Sequence, residues 1–137
     1  MKTLFMLFLG IFTVSGWATS PNLTLTPGVL CSPTDPNFDA FYYREHIARC
    51  KRNVLSPEKA SVAKEYNLPR TQYATVEFDH LIPLCAGGSD NIKNLWPQPI
   101  AEAHKKDVVE DFVCKQMDRG LMTQAEAVAM IWKFFKP

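Results

Sequence analysis

The chain has 137 residues, 47% of them hydrophobic, and sets 15 Lys and Arg against 14 Asp and Glu. That is the length of one domain of ordinary size, with enough Phe, Trp, Leu, Ile and Val to build a core. So small a net charge excludes a protein that holds nucleic acid by bulk charge alone.

In chain order, the first segment carries Lys2, then an apolar run from Leu4 to Val14 broken only by Gly10 and Thr13, then Gly16-Trp17-Ala18. A basic start, a short apolar stretch and small residues around a cleavage site predict a signal peptide over residues 1–18, and so export to the periplasm or the medium. The run is shorter than the ~20 apolar residues that cross a bilayer, so no membrane contact is expected of the mature form. An uncleaved N-terminal anchor is the alternative. Residues 19–37, rich in Pro, Thr, Ser and Asn, read as an extended arm. Asn22-Leu23-Thr24 within it is a glycosylation sequon, relevant only in a eukaryotic secretory route.

Residues 38–137 read as a single domain. Phe38, Phe41, Tyr42, Tyr43 and Ile47 open it as an aromatic segment, expected simply to pack on the core. Ser56-Pro57-Glu58 supplies an N-cap, a first-turn Pro and an acidic first turn for a helix that runs to about Tyr66, where Asn67-Leu68-Pro69 ends it. Tyr73, Val76 and Phe78 mark a strand over 73–79. Ala86-Gly87-Gly88-Ser89-Asp90 is turn chemistry, and Ile92 to Trp96 is a second strand whose pairing Pro97 should end. From about Ile100 to Arg119 the apolar residues Val108, Val109, Phe112, Val113 and Met117 fall at helical spacing, with Gly120 beyond the end. Thr123-Gln124-Ala125-Glu126 is a capping box for a last helix that reaches Lys136.

Four cysteines, Cys31, Cys50, Cys85 and Cys114, come after the signal. In an exported chain they read as two disulfides. Three pairings are open; Cys31–Cys50 with Cys85–Cys114 is favoured because each would tie neighbouring segments. The charges are segregated. Residues 44–70 hold seven basic side chains against three acidic, a balance of +4, and residues 71–111 hold three against seven, a balance of −4. A basic surface beside an acidic centre suits a phosphate-binding face next to a metal. Two solvated faces of a neutral protein would look the same.

The chemistry concentrates in Phe78-Asp79-His80-Leu81-Ile82-Pro83-Leu84, then Gly87-Gly88, then Asn94-Leu95-Trp96-Pro97-Gln98, then Ala103-His104-Lys105-Lys106-Asp107. This series resembles the HNH (ββα-metal) nuclease family, and within it the small proteins reading Asp-His-Leu-Ile-Pro-Leu, Gly-Gly and Asn-Leu-Trp-Pro. The resemblance implies an α+β fold: a ββα core over about 73–119, flanked by further helices. It implies that His80 is the general base, since an imidazole titrating near pH 6.5 accepts a proton at neutrality. Asp79 and His104 are the implied metal ligands, with Asp107 and Glu110 in reserve. The implied cofactor is one divalent ion, Mg²⁺ first, with Mn²⁺, Ni²⁺ or Zn²⁺ also compatible with carboxylate and imidazole donors. Asn94 is implied to serve the site by pinning the loop between the strands. Neighbouring residues of a strand face opposite ways, so Asp79 and His80 share one site only if the strand kinks. No Cys-x-x-Cys pair is present, so the Cys₄ zinc of many HNH proteins is not expected.

Arg44, Arg49 and Arg52 are the candidate phosphate contacts, and His46, outside the motif, reads as structural. Together these expectations describe an exported, metal-dependent endonuclease that hydrolyses DNA, with RNA as a further substrate, at low sequence specificity and with no separate base-reading module. Two other classes compete: a non-catalytic nucleic-acid or protein-binding module on the same scaffold, and a disulfide-stapled secreted protein carrying a chance motif. An immunity or inhibitor partner is not legible.

Overall fold

The fold is α+β: two short antiparallel hairpins and three helices among the described residues. The computed structural model describes residues 19–136, so the signal-peptide reading of 1–18 lies outside the described residues.

The aromatic segment forms a hairpin. Strand β1 (Phe38–Tyr42) pairs with strand β2 (Ile47–Cys50), and the chain turns between them through Tyr43 and His46, both at positive φ. Alternation along these strands splits the aromatics between faces. Ile47 is buried and Tyr43 packs on the core, whereas Phe41 stands exposed, so the segment is not a simple core element. His46 is an exposed turn residue.

Helix α1 spans Ser56–Glu65. Its N-cap is Leu55 rather than Ser56, because the Glu58 carboxylate reaches back to accept the Leu55 amide at 3.1 Å. Asn67, in the left-handed region, ends the helix and lets the Leu68 amide bond the Ala63 carbonyl.

A six-residue 3₁₀ helix over Arg70–Thr75 replaces the start of the strand expected over 73–79; β3 is Val76–His80. It pairs with β4 (Leu95–Pro99) in continuous register from Val76 opposite Pro99 to His80 opposite Leu95. Pro97 does not end that pairing. Pro97 and Pro99 are two residues apart, so both missing donors fall on the outer edge of a two-stranded sheet, where no ladder bond is lost.

Helix α2 (Ile100–Asp118) leaves β4 directly and stops at Gly120, whose φ of 69° closes the end with the Leu121 amide on the Gln116 carbonyl. The capping box of α3 (Gln124–Phe135) forms as expected, with the Thr123 amide on Glu126 at 2.8 Å. Ile47, Leu81, Trp96, Val113, Met117 and Ile131 fill one core between the hairpins and the two C-terminal helices. Val62, Leu68, Val76, Phe78 and Leu95 fill a second beneath α1.

The disulfides are Cys31–Cys50 and Cys85–Cys114, the favoured pairing. Two such bonds suit an oxidising, extracellular environment. No helix among the described residues is long and apolar enough to cross a membrane.

Candidate active site at the end of strand β3

The loop after β3 is built around one amide. Asn94 is fully buried, and its Oδ1 accepts the Ile82 amide at 3.0 Å and the Val29 amide at 3.4 Å. Its Nδ2 donates to the Ile82 carbonyl at 3.0 Å and the Ser89 carbonyl at 2.8 Å. Asn is the side chain that satisfies donors and acceptors together, as a loop folded over a hairpin requires. The loop closes onto its own backbone. A Cβ on Gly88 would lie 1.8 Å from the Ile82 carbonyl oxygen, so only glycine fits. Asn94 therefore holds the loop and meets no solvent.

His80 ends β3 facing this loop. Its ring is 3% exposed, with Nε2 2.7 Å from Asp90 Oδ1 and Nδ1 3.3 Å from Arg52 Nη1. A guanidinium only donates, so Nδ1 is the acceptor and the Nε2 proton goes to Asp90. Asp90 is itself fixed, its Oδ2 accepting the Asn53 amide at 2.8 Å. Arg52 is an exposed residue whose second nitrogen, Nη2, donates to the Phe78 carbonyl at 3.2 Å. The result is a carboxylate–imidazole pair of set tautomer, with the basic nitrogen covered by one surface arginine.

Asp79 faces the other way. The β3 register shows no bulge between Asp79 and His80, so the kink needed to bring both side chains to one site is absent. The Asp79 carboxylate meets Lys106 of α2, with Nζ 2.6 Å from Oδ2. Lys106 is fully buried, and its ammonium also donates to the His80 carbonyl at 2.6 Å and to Glu110 Oε1. Burial pushes the Glu110 carboxyl above its ordinary range, against the lowering pull of Lys106; the charge of Asp79 adds to the rise.

His104 does not join Asp79. It lies two residues before Lys106, about 200° round the helix, on the exposed side. The buried stripe of α2 is Ala103, Lys106, Val113 and Met117, and Val108, one turn on from His104, is 71% exposed. The donor set at Asp79 does not fit a divalent ion in this arrangement. A buried ammonium already sits within hydrogen-bond distance of the ligand oxygen, and the imidazole partner points away. Cys31, Asp35 and Cys50 bring three donor atoms within 4.8 Å of one another, but the two sulfurs are joined to each other and offer no thiolate.

The three arginines occupy three settings. Arg52 lies on His80. Arg49 stacks 4.2 Å from the ring centre of Tyr42 and is half-buried. Arg44 is exposed and packs beside Gly120, where an added Cβ would meet its Cδ at 3.1 Å. Asp90 and Lys106 complete the surroundings of His80 and Asp79, contacts that sequence reasoning gives to neither of them. In the sequence Asp90 is one more turn residue. Lys106 does carry a signal, since Ala103, Lys106, Glu110, Val113 and Met117 recur at spacings of three and four, the period of a buried face.

Comparison with protein-family models, with curated proteins and with solved structures finds no match for this chain.

Proposed function

We propose that the chain is an exported HNH-type endonuclease, with the hairpin β3–β4 and α2 as its ββα unit and His80 as its general base. The observation that carries this reading is the Asp90–His80–Arg52 row at the end of β3. A carboxylate holding one ring nitrogen leaves the other as a base of defined direction, and an exposed guanidinium beside that base is where a phosphate would be met.

The steps use this chain's own residues. An incoming phosphodiester draws Arg52 from His80 Nδ1 onto a non-bridging oxygen, since an anionic oxygen is a stronger acceptor than a neutral imidazole. A water takes the place of Arg52 at Nδ1. It attacks phosphorus as its proton passes to Nδ1, and Asp90 steadies the imidazolium that forms. The P–O3′ bond breaks, and the departing oxygen takes a proton from solvent. The 5′-phosphate and 3′-hydroxyl ends follow from the resemblance, and so does DNA as first substrate. Arg52 contacts phosphate and no base, which suits low sequence specificity.

One observation favours a second reading, a non-catalytic nucleic-acid-binding module on the same scaffold. Both His80 nitrogens are engaged and the ring is 3% exposed. Plasmid nicking by the oxidised protein tests both, run beside His80→Gln and His104→Ala with DNA affinity measured in parallel. The nuclease reading expects nicking by the wild type, its loss in His80→Gln and its survival in His104→Ala. Binding without nicking in the wild type would establish the second reading instead.

A further inference from the structure

We propose that the Asp79–Glu110 pair and the His80 carbonyl form an oxygen cage for a hard cation, and that the Lys106 ammonium is its built-in occupant. This deepens the nuclease reading and rests on it only for the comparison with a metal centre.

The side chain of Lys106 extends from α2 to the strand end, where its ammonium is fully buried. An ammonium carries three N–H donors and no acceptor. Here the three meet Asp79 Oδ2, the Glu110 carboxylate and the His80 carbonyl. Such a tripod of oxygens around one positive centre is also what Mg²⁺ or Mn²⁺ takes. A buried charge is tolerated only when paired and fully hydrogen-bonded, and this one is both. The formal count at the cage is one positive charge against two negative. A divalent ion would have to expel the ammonium from all three oxygens at once. The ammonium braces the His80 backbone through its carbonyl, so the orientation role of a metal at this position falls to a lysine.

The experiment reads metal binding and melting, not cleavage. The oxidised protein is titrated with Mn²⁺ by electron paramagnetic resonance, and melted with Mn²⁺ and with EDTA. The wild type should take up no stoichiometric Mn²⁺ and should melt at the same temperature in both. Lys106→Ala empties the cage while keeping its three oxygens. It should melt lower than wild type in EDTA and regain stability with Mn²⁺. It should bind one Mn²⁺ at least about tenfold more tightly than wild type, and Asp79→Asn added to it should abolish that binding. If Lys106→Ala folds only when Mn²⁺ is present, the rescue supports the cage equally. Stoichiometric Mn²⁺ on the wild type, lost in Asp79→Asn, would overturn the proposal. So would a Lys106→Ala protein that neither binds Mn²⁺ nor refolds with it. A wild type that binds no Mn²⁺ and nicks no plasmid would sink the nuclease reading and leave this one intact.

Discussion

Replacing Asn94 with alanine should be among the most damaging single changes in the protein, although it removes only one small side chain. The amide makes four hydrogen bonds, all to backbone groups, from a fully buried position. Alanine leaves those groups without their partner. At about 1 kcal/mol per bond, a low-end value that allows water to enter the vacated space, the loss is about 4 kcal/mol. For a domain of this size that corresponds to a fall in Tm of about 15 °C. The assay is a thermal melt followed by far-ultraviolet circular dichroism, checked by a urea midpoint at constant m-value. Asn94→Asp refines the test. It keeps the acceptor for the Ile82 amide but turns an oxygen toward the carbonyls of Ile82 and Ser89, where Nδ2 had donated. It should be at least as damaging as alanine. A fall of less than about 5 °C for Asn94→Ala, or near-wild-type melting of Asn94→Asp, would refute the account of the loop.

Arg52→Ala should weaken DNA binding for all sequences alike and reduce the salt slope of log affinity by about one unit, read by fluorescence anisotropy at several salt concentrations. Arg49→Ala should leave that slope unchanged and lower Tm instead, because its guanidinium is committed to the Tyr42 ring. Stability should also fall with rising pH through Glu110. Its folded-state pKa lies above the ordinary value of 4.5, so the folded form binds the extra proton, and stability present at low pH is lost as pH rises. Glu110→Gln keeps an acceptor for Lys106 and removes that titration, so its Tm relative to wild type should climb as pH rises above the ordinary carboxyl value of 4.5. Reducing the two disulfides, which span 19 and 29 positions, should cost about 3 kcal/mol each by loop closure, seen as a lower denaturation midpoint in reductant.

The local signals in this chain are legible because they are short-range. The capping box at Thr123, the glycine at 120 and the stop at Asn67 each depend on a few neighbours, and each forms. The role of Asn94 is readable only through the resemblance, and the structure gives it the expected backbone partners. The expected metal ligands do not meet, for a definite reason. Val108, Val109, Phe112, Val113 and Met117 form an apolar pattern that suggests one buried face, yet Val108 is 71% and Phe112 45% exposed. The face that turns inward includes a lysine and a glutamate, and a reading that treats charge as exposure rotates the helix away from them. Asp79 and His80 are separated by the two-residue period of the strand, a constraint legible in the sequence that the resemblance outweighs. Asp90 cannot be chosen from its neighbours, because its importance lies in a contact made across the loop to a residue ten positions earlier.

The arm before the first hairpin has a consequence for how the molecule comes apart. Cys31 and Ser89 donate their amides to Gly87 and Val29, Gly28 donates to Lys93, and Thr26 bonds the Leu95 carbonyl. Val29 reaches Asn94 from 65 positions away in sequence. Peeling the arm back therefore strips partners from the loop after β3 at several points together, so arm and loop form one cooperative unit despite their distance along the chain. The amides of Val29, Ile82 and Ser89 should exchange with deuterium as a group, at one shared opening free energy. A protease that catches the arm open would meet a molecule whose loop after β3 has already lost those partners.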